Sequence, residues 1–296
     1  MEAILASSPP TPQLSAHLHL RRPSLGFVRP TGHVVVSDEG SAQHLHNHAA
    51  EACFGEWAAA APPHHDSIDG LSSTRGAVTY ELVLMPEEAI FLTCVAGCLE
   101  VAPDSKLSRA SPGACPTGGA AALGRLLELA VRADPTLTTL AQSRLEADGK
   151  DEEGISGGAL AMRCALLRAV AYAHYRHNGY VVKDGVLLGC HFLLYRGAPS
   201  AVHSDYGVWL MDAECDRHTL RAAQLASSEA CSRPPSADDD SVVKAPCHVP
   251  STLTWQHIQA LRRLLHDVAK KLLLCSVEGR GGDNGDLPRV VDLSVG

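Results

Sequence analysis

The chain has 296 residues, is 45% hydrophobic and carries a formal net charge of −8. That is enough for two modest domains with real cores, and too acidic overall to announce a nucleic-acid partner. Its ten cysteines form no CxxC pair, which argues against a disulfide framework, and no apolar run approaches the roughly 20 residues of a membrane-spanning helix.

The acidity is unevenly placed. Residues 1–160 hold 10 Lys+Arg against 19 Asp+Glu, whereas residues 161–296 hold 15 against 14. Phosphate binding is therefore open to the second half. Residues 1–48 are rich in Pro and His and read as an unordered tail. Residues 1–37 contain one acid, Glu2, beside several Arg, Ser and Pro, a composition that also borders on an organelle transit peptide.

From 49 to 101 the pattern is that of a small domain. EACFGEW (51–57) is a compact apolar patch, and YELVLM (80–85) reads as a strand. Pro86, Glu87 and Glu88 open a helix running to Cys94, with proline in its first turn and carboxylates at the positive end of the dipole. CLEV (98–101) closes the domain as a strand. Residues 102–158 look like a low-complexity insertion or linker with an isolated helix over 121–131, and the acidic stretch GKDEEGISGG (149–158) marks a domain boundary.

Residues 159–296 read as a second domain. A helix over 159–176 carries Leu160, Cys164, Leu167, Val170 and Ala171 on one face, and Gly179 is its C-cap. YVVK and VLLG flank Asp184-Gly185, the pattern of a tight hairpin. HFLLY (191–195) and VHSDYGVWLM (202–211) are further strands. Residues 213–250, with a PPSADDD run, form a loop insertion. An amphipathic helix over 255–271 places Trp255, Ile258, Leu261, Leu265 and Val268 inward, and LLLCSV (272–277) follows as a strand. A loop with a short edge strand ends the chain. The fold class is α/β in the broad sense (α+β), with a small N-terminal α/β domain and a C-terminal mixed-sheet domain. Cys94, Cys164, Cys190 and Cys275 lie in apolar runs, where a thiol behaves as a small hydrophobe.

Three residues of the second domain make a chemically sensible set. RNA carries its own nucleophile, the 2′-hydroxyl. Cleavage needs a base for that proton, an acid for the 5′ leaving oxygen and a cation for the charge on the phosphorane. His203 has a side chain suited to the acid. Tyr195 suits the base once a cation favours its phenolate, and Lys270 suits the cation. Tyr195 and His203 flank one Gly-Ala-Pro turn; only a fold can deliver Lys270.

In order along the chain, GYVVKDG, the FLLY of HFLLYRGAP, VHSDY and VAKKLLLCSV resemble the catalytic domain of the tRNA-splicing (tRNA-intron) endonuclease family, and CFGEW followed by LMPEEAIFL resembles its smaller N-terminal domain. The resemblance implies general base Tyr195, general acid His203 and transition-state stabiliser Lys270, with Lys271 as the adjacent register. It implies 2′,3′-cyclic phosphate and 5′-hydroxyl ends, no metal and no cofactor. The wording YRGAP…VHSDY is closest to the subunit that cuts the 5′ splice site. Expected partners are intron-containing pre-tRNA and the other subunits of a heterotetramer of two catalytic and two structural chains, in the nucleus, or in an organelle if residues 1–37 are a transit peptide. The chain departs from the family pattern at His191, where an acid is usual, and has no Arg-Trp pair after its last core strand, which reads as a truncated gene model or as weaker RNA clamping.

Two other readings stand beside this one. The chain can be a structural subunit of the same assembly. It can also be a metal-dependent DNA nuclease, which needs carboxylates converging on Mg²⁺; Asp184 and Asp205 are the acids nearby, without spaced partners. The alternating His17/His19 and His44/His46/His48 read as incidental composition, and Cys94 with Cys98 one helical turn on as core or reactive thiols, not as metal ligands. Tyr206 and Trp209 read as sheet packing.

Overall fold

A computed structural model describes residues 23–29, 31–47, 52–59, 80–102, 119–142, 157–211, 254–278 and 289–295. The loop insertion expected over 213–250 lies outside them, as do most of the acidic linker and residues 1–22. The chain divides into two compact units. One comprises residues 1–135, 172–181 and 195–203, and the other 136–171, 182–194 and 204–296.

The first unit is built on a five-stranded sheet of order β3-β4-β2-β1-β5, made of β1 (Ser24–Val28), β2 (Val34–Val36), β3 (Glu56–Ala59), β4 (Tyr80–Leu84) and β5 (Leu99–Ala102). β1 runs antiparallel to β2 and parallel to β5. The expected unordered tail over 1–48 is thus corrected across its described part. Pro- and His-rich composition hides three consecutive valines, all buried in β2, and helix α1 (Glu39–Leu45) that seats Ala42 and Leu45 in the core. The Asp38 carboxylate caps α1 by accepting from Ser41 N at 2.8 Å, and the Ser41 hydroxyl first and this N–H second hold its pKa below the usual value. His46 donates Nδ1–H to Phe54 O at 2.8 Å, so this histidine is structural.

Helix α2 (Pro86–Ile90) begins with proline as expected, then widens into one π turn, Phe91–Val95. The widening seats the Phe91 ring against Phe54, Tyr172 and His177. It also leaves Cys94 exposed, contrary to the core position expected from its apolar run; Cys53 and Cys98 are buried instead. The insertion expected over 102–158 is corrected in part. Helix α3 (Gly119–Ala133) buries Leu126, Leu127 and Ala130. Gly32, at φ +88°, lets it close in: a Cβ there would lie 2.8 Å from Leu129 O. Helix α4 (Pro135–Gln142) follows.

Helix α5 (Gly157–His177) is alanine-rich, and its buried positions are Leu160, Ala161, Ala165, Ala169 and Ala171, then Tyr172, Tyr175 and Arg176 in its last turns; Cys164, Leu167 and Val170, expected on that face, are only half-buried. Small side chains let a helix approach its neighbours closely, which hydrophobicity alone does not announce. The second five-stranded sheet has the order β10-β9-β8-β7-β6, from β6 (Val181–Asp184), β7 (Phe192–Tyr195), β8 (Tyr206–Met211), β9 (Lys271–Glu278) and β10 (Arg289–Val295). β8 and β9 are parallel, joined through α6 (Trp255–Asp267) in a βαβ unit, and β10 adds an antiparallel edge.

The strand expected at VLLG is not there. Val186–Leu188 is a 3₁₀ turn capped by Asp184 Oδ1, which accepts from Val186 N at 2.9 Å. The strands that neighbour one another are β6 and β7. Gly185 is buried where a Cβ would meet Cys190 Sγ at 2.5 Å, so the loop folds back tightly and leaves Leu187 95% exposed. α6 is shorter than expected: Leu261 and Leu265 pack on Leu272 and Leu274, while Trp255 and Val268, the ends of the expected inward stripe, are exposed.

Candidate active site

Tyr195 is the last residue of β7, and its strand mate Leu194 lies in register with Tyr206 of β8, which lies in register with Lys271 of β9. One row across the sheet therefore reads Leu194–Tyr206–Lys271. Each of the three sequence-predicted residues sits in the chain beside that row: Tyr195 follows Leu194, His203 precedes Ser204 in the loop entering β8, and Lys270 precedes Lys271.

The loop between β7 and β8 is held by main-chain bonds. Ala201 N and Val202 N both donate to Ala198 O, at 2.8 and 3.1 Å, closing the Gly-Ala-Pro turn. Asp205 N donates to Leu194 O at 2.9 Å and Lys271 N to Asp205 O at 3.0 Å, which pins the loop's end to both neighbouring strands. On this rigid base His203 is exposed and Tyr195 half-buried. Among the described residues neither side chain has a hydrogen-bond or ion-pair partner, which leaves both available to a ligand.

Lys270 arrives through the end of α6. Lys270 N donates to Leu265 O at 2.8 Å and Ala269 N to His266 O at 2.9 Å, the paired bonds of a Schellman motif. The motif needs a left-handed residue between helix and strand, and Ala269 supplies it at φ +57°. The Lys270 side chain then turns to Ser204, the residue after His203, and Nζ donates to its carbonyl at 3.5 Å. Lys271 points differently: it is a strand position, exposed, paired through its backbone. An alanine in the left-handed region costs about 1–2 kcal/mol that glycine avoids. Ala269→Gly is therefore expected to stabilise the fold by about 0.5–1 kcal/mol after the glycine's larger unfolded-state entropy is counted, read as a higher urea midpoint with unchanged slope.

Sequence reasoning missed Ser204 and the role of Ala269. The Ser204 contribution is a main-chain carbonyl, which carries no residue-type signal, and its buried hydroxyl has no partner among the described residues. Ala269 lacks the glycine that ordinarily announces a helix stop. Asp184 is engaged as the cap of the 3₁₀ turn. Cys190, next to the site strands, has its thiol pushed up to about 11 by burial, so it is a poor nucleophile.

Residues 165–285 match the family described as tRNA intron endonuclease, catalytic C-terminal domain. Over a 48-residue stretch the chain is 44% identical to the tRNA-splicing endonuclease subunit SEN2 of Eremothecium gossypii, covering 16% of this chain and 13% of that one. It is 40% identical over 47 residues to subunit Sen2-2 of Arabidopsis thaliana, covering 16% and 19%. Against SEN2 of Saccharomyces cerevisiae it is 35% identical over 48 residues, covering 16% and 13%. The matched stretch thus spans under one fifth of the length of each of these relatives. The matched segment 165–285 contains Tyr195, His203 and Lys270 and is similar to the tRNA intron endonuclease catalytic domain.

Proposed function

We propose that the chain is a subunit of a tRNA-splicing endonuclease that cuts pre-tRNA at an exon–intron junction, the 5′ splice site, without a metal. Tyr195 accepts the proton of the 2′-hydroxyl at the junction. The freed oxygen attacks the adjacent phosphorus, and the Lys270 ammonium meets the charge that grows on the phosphorane oxygens. His203 gives its proton to the departing 5′ oxygen. The products are a 2′,3′-cyclic phosphate and a 5′-hydroxyl. The observation that carries this reading is the anchoring of Lys270 Nζ on Ser204 O, one residue from His203 in the sequence, within a segment that matches a catalytic domain. Exposed Arg262, Arg263 and Lys271 add positive charge on and after α6, suited to flanking phosphates.

The test is to co-express the chain with the other splicing-endonuclease subunits, incubate the complex with an intron-containing pre-tRNA in EDTA, and map the ends. Cutting at the 5′ junction with cyclic-phosphate ends is expected. Cutting that stops in EDTA would overturn the metal-free mechanism. Full cutting at both junctions by a Tyr195→Phe/His203→Ala complex would make the chain a structural subunit.

A further inference from the structure

β7 and β8 pair from Phe192↔Val208 through Leu194↔Tyr206. Leu210 lies beyond that ladder, and its N–H is taken by a side chain: it donates to Nδ1 of His191 at 3.1 Å. A backbone N–H can only donate, so Nδ1 is unprotonated and the ring proton sits on Nε2. The same imidazole stands at right angles to the Trp209 indole, with centroids 4.9 Å apart and planes at 71°. Trp209 meets a second imidazole, His257 of α6, at 4.8 Å and 69°. One indole on β8 is thereby touched by the histidine just before β7 and a histidine from the first turn of α6.

This contact lies on the route to Lys270. Trp209 packs on the cluster of Leu261, Leu265, Leu272 and Leu274 that seats α6 on the sheet, and the last turn of α6 sets Lys270 through Leu265 O. α6 also approaches the sheet over Gly207, where a Cβ would lie 2.7 Å from Leu265 Cδ2, so its seat has little slack. The strand alternation defines what else faces His191. α6 contributes His257 through Trp209, and the charged groups of β6 are Lys183 and Asp184. β8 contributes Trp209 and Met211, β9 contributes Leu272, Leu274 and Ser276, and β10 contributes Val291, Leu293 and Val295. By the same register β9 also places Glu278 in this set and β10 places Arg289, opposite each other and four residues along β9 from Leu274, the partner of Trp209.

We propose that His191 is a proton-sensitive positioning residue, which as neutral imidazole clamps Leu210 N–H and Trp209 and so fixes the seat of α6 and Lys270. Protonation of Nδ1 replaces an acceptor with a second donor facing Leu210 N–H. The bond is then lost, and the ring turns away from Trp209. The effect on cleavage rests on the function proposed above; the clamp itself does not.

The clamp is read on the full-length chain labelled with 5-fluorotryptophan, the Trp209 resonance being assigned by its loss in Trp209→Phe. Between pH 7.5 and 5.5 that resonance should shift with a single midpoint in His257→Phe, which removes the second imidazole against Trp209. It should stay still in His191→Asn/His257→Phe, where the Asn amide oxygen keeps the acceptor but cannot take the proton. In the wild type, the exchange protection of Leu210 N–H relative to Val208 N–H should fall about tenfold over the same range, which is what one lost hydrogen bond allows. A Trp209 resonance that does not move in His257→Phe, or moves equally in His191→Asn/His257→Phe, overturns the clamp, as does unchanged Leu210 protection. In the assembled enzyme, the acid limb of single-turnover cleavage should be shallower for His191→Asn than for wild type; coincident limbs would overturn its link to Lys270. The resonance and exchange readings stand whether or not the chain cuts RNA.

Discussion

Replacing His203 by alanine should lower single-turnover cleavage of pre-tRNA by about 10²–10⁴-fold, the usual contribution of a positioned general acid. The melting temperature should hardly move. His203 is exposed and its side chain has no hydrogen-bond or ion-pair partner among the described residues, so truncation opens no cavity and orphans no buried group. Surface changes of that kind usually stay within about 0.5 kcal/mol. The loop that carries it is closed by main-chain bonds at Ala198 and Leu194, which alanine leaves intact. A second substrate separates the acid role from mere positioning. With sulfur in place of the bridging 5′ oxygen, the leaving group departs without protonation. The His203→Ala defect should then largely vanish, whereas a Lys270→Ala defect should persist, because the charge on the phosphorane remains. A His203→Ala enzyme equally impaired on both substrates would remove the general-acid assignment.

The sequence was most legible where local chemistry and tertiary structure agree. Pro86 with Glu87 and Glu88 announces the start of α2, and the apolar run at 272–277 announces β9. Where the deciding term was tertiary, the reading slipped. Asp184-Gly185 has the composition of a two-residue hairpin, yet Gly185 is required by the Cys190 side chain folding back on it, and Val186–Leu188 becomes a turn. Val34–Val36 is too short a run to outweigh its Pro- and His-rich surroundings, and becomes the centre of a sheet only because β1 and β4 pair on either side. For the candidate site, residue types and the single turn between Tyr195 and His203 were readable. The anchoring of Lys270 was not, since it depends on a main-chain carbonyl and on an alanine in the left-handed region. The histidines around Trp209 were also silent, because neither pairwise ring contacts nor a side chain completing a strand ladder leaves a periodic pattern.

The largest expected effect on stability comes from a residue with no part in the proposed chemistry. Arg176, in the last turn of α5, is 2% exposed. Its guanidinium lies 4.2 Å above the Phe54 ring, while Nη2 donates to Ala52 O at 2.7 Å and Nη1 to Tyr180 O at 3.3 Å. The loop it grips is a demanding one: Cys53 and Gly55 both have positive φ, and Gly55 N is held from the other side by Glu88 Oε2 at 2.9 Å, which also accepts from Met85 N. Glu87 and Glu88 are themselves almost fully buried. The Tyr172 hydroxyl beside these charges is pushed well above its ordinary pKa, by burial first and by the two carboxylates next, with Arg176 opposing. Arg176→Met keeps much of the volume and the stacking, but it orphans the Ala52 carbonyl and removes the cation from a site that keeps its two acids. Losing one partner of such a buried charged set costs about 3–5 kcal/mol, a large share of the roughly 5–15 kcal/mol that holds a domain together. Urea unfolding of Arg176→Met should show a loss in that range, and Arg176→Lys, which keeps the charge without the planar fork, should fall between. The amide of Gly55 should lose exchange protection in both variants before the amides of β8 and β9 do. A loss below about 1 kcal/mol in Arg176→Met would mean that the 52–55 loop is held by its apolar contacts alone.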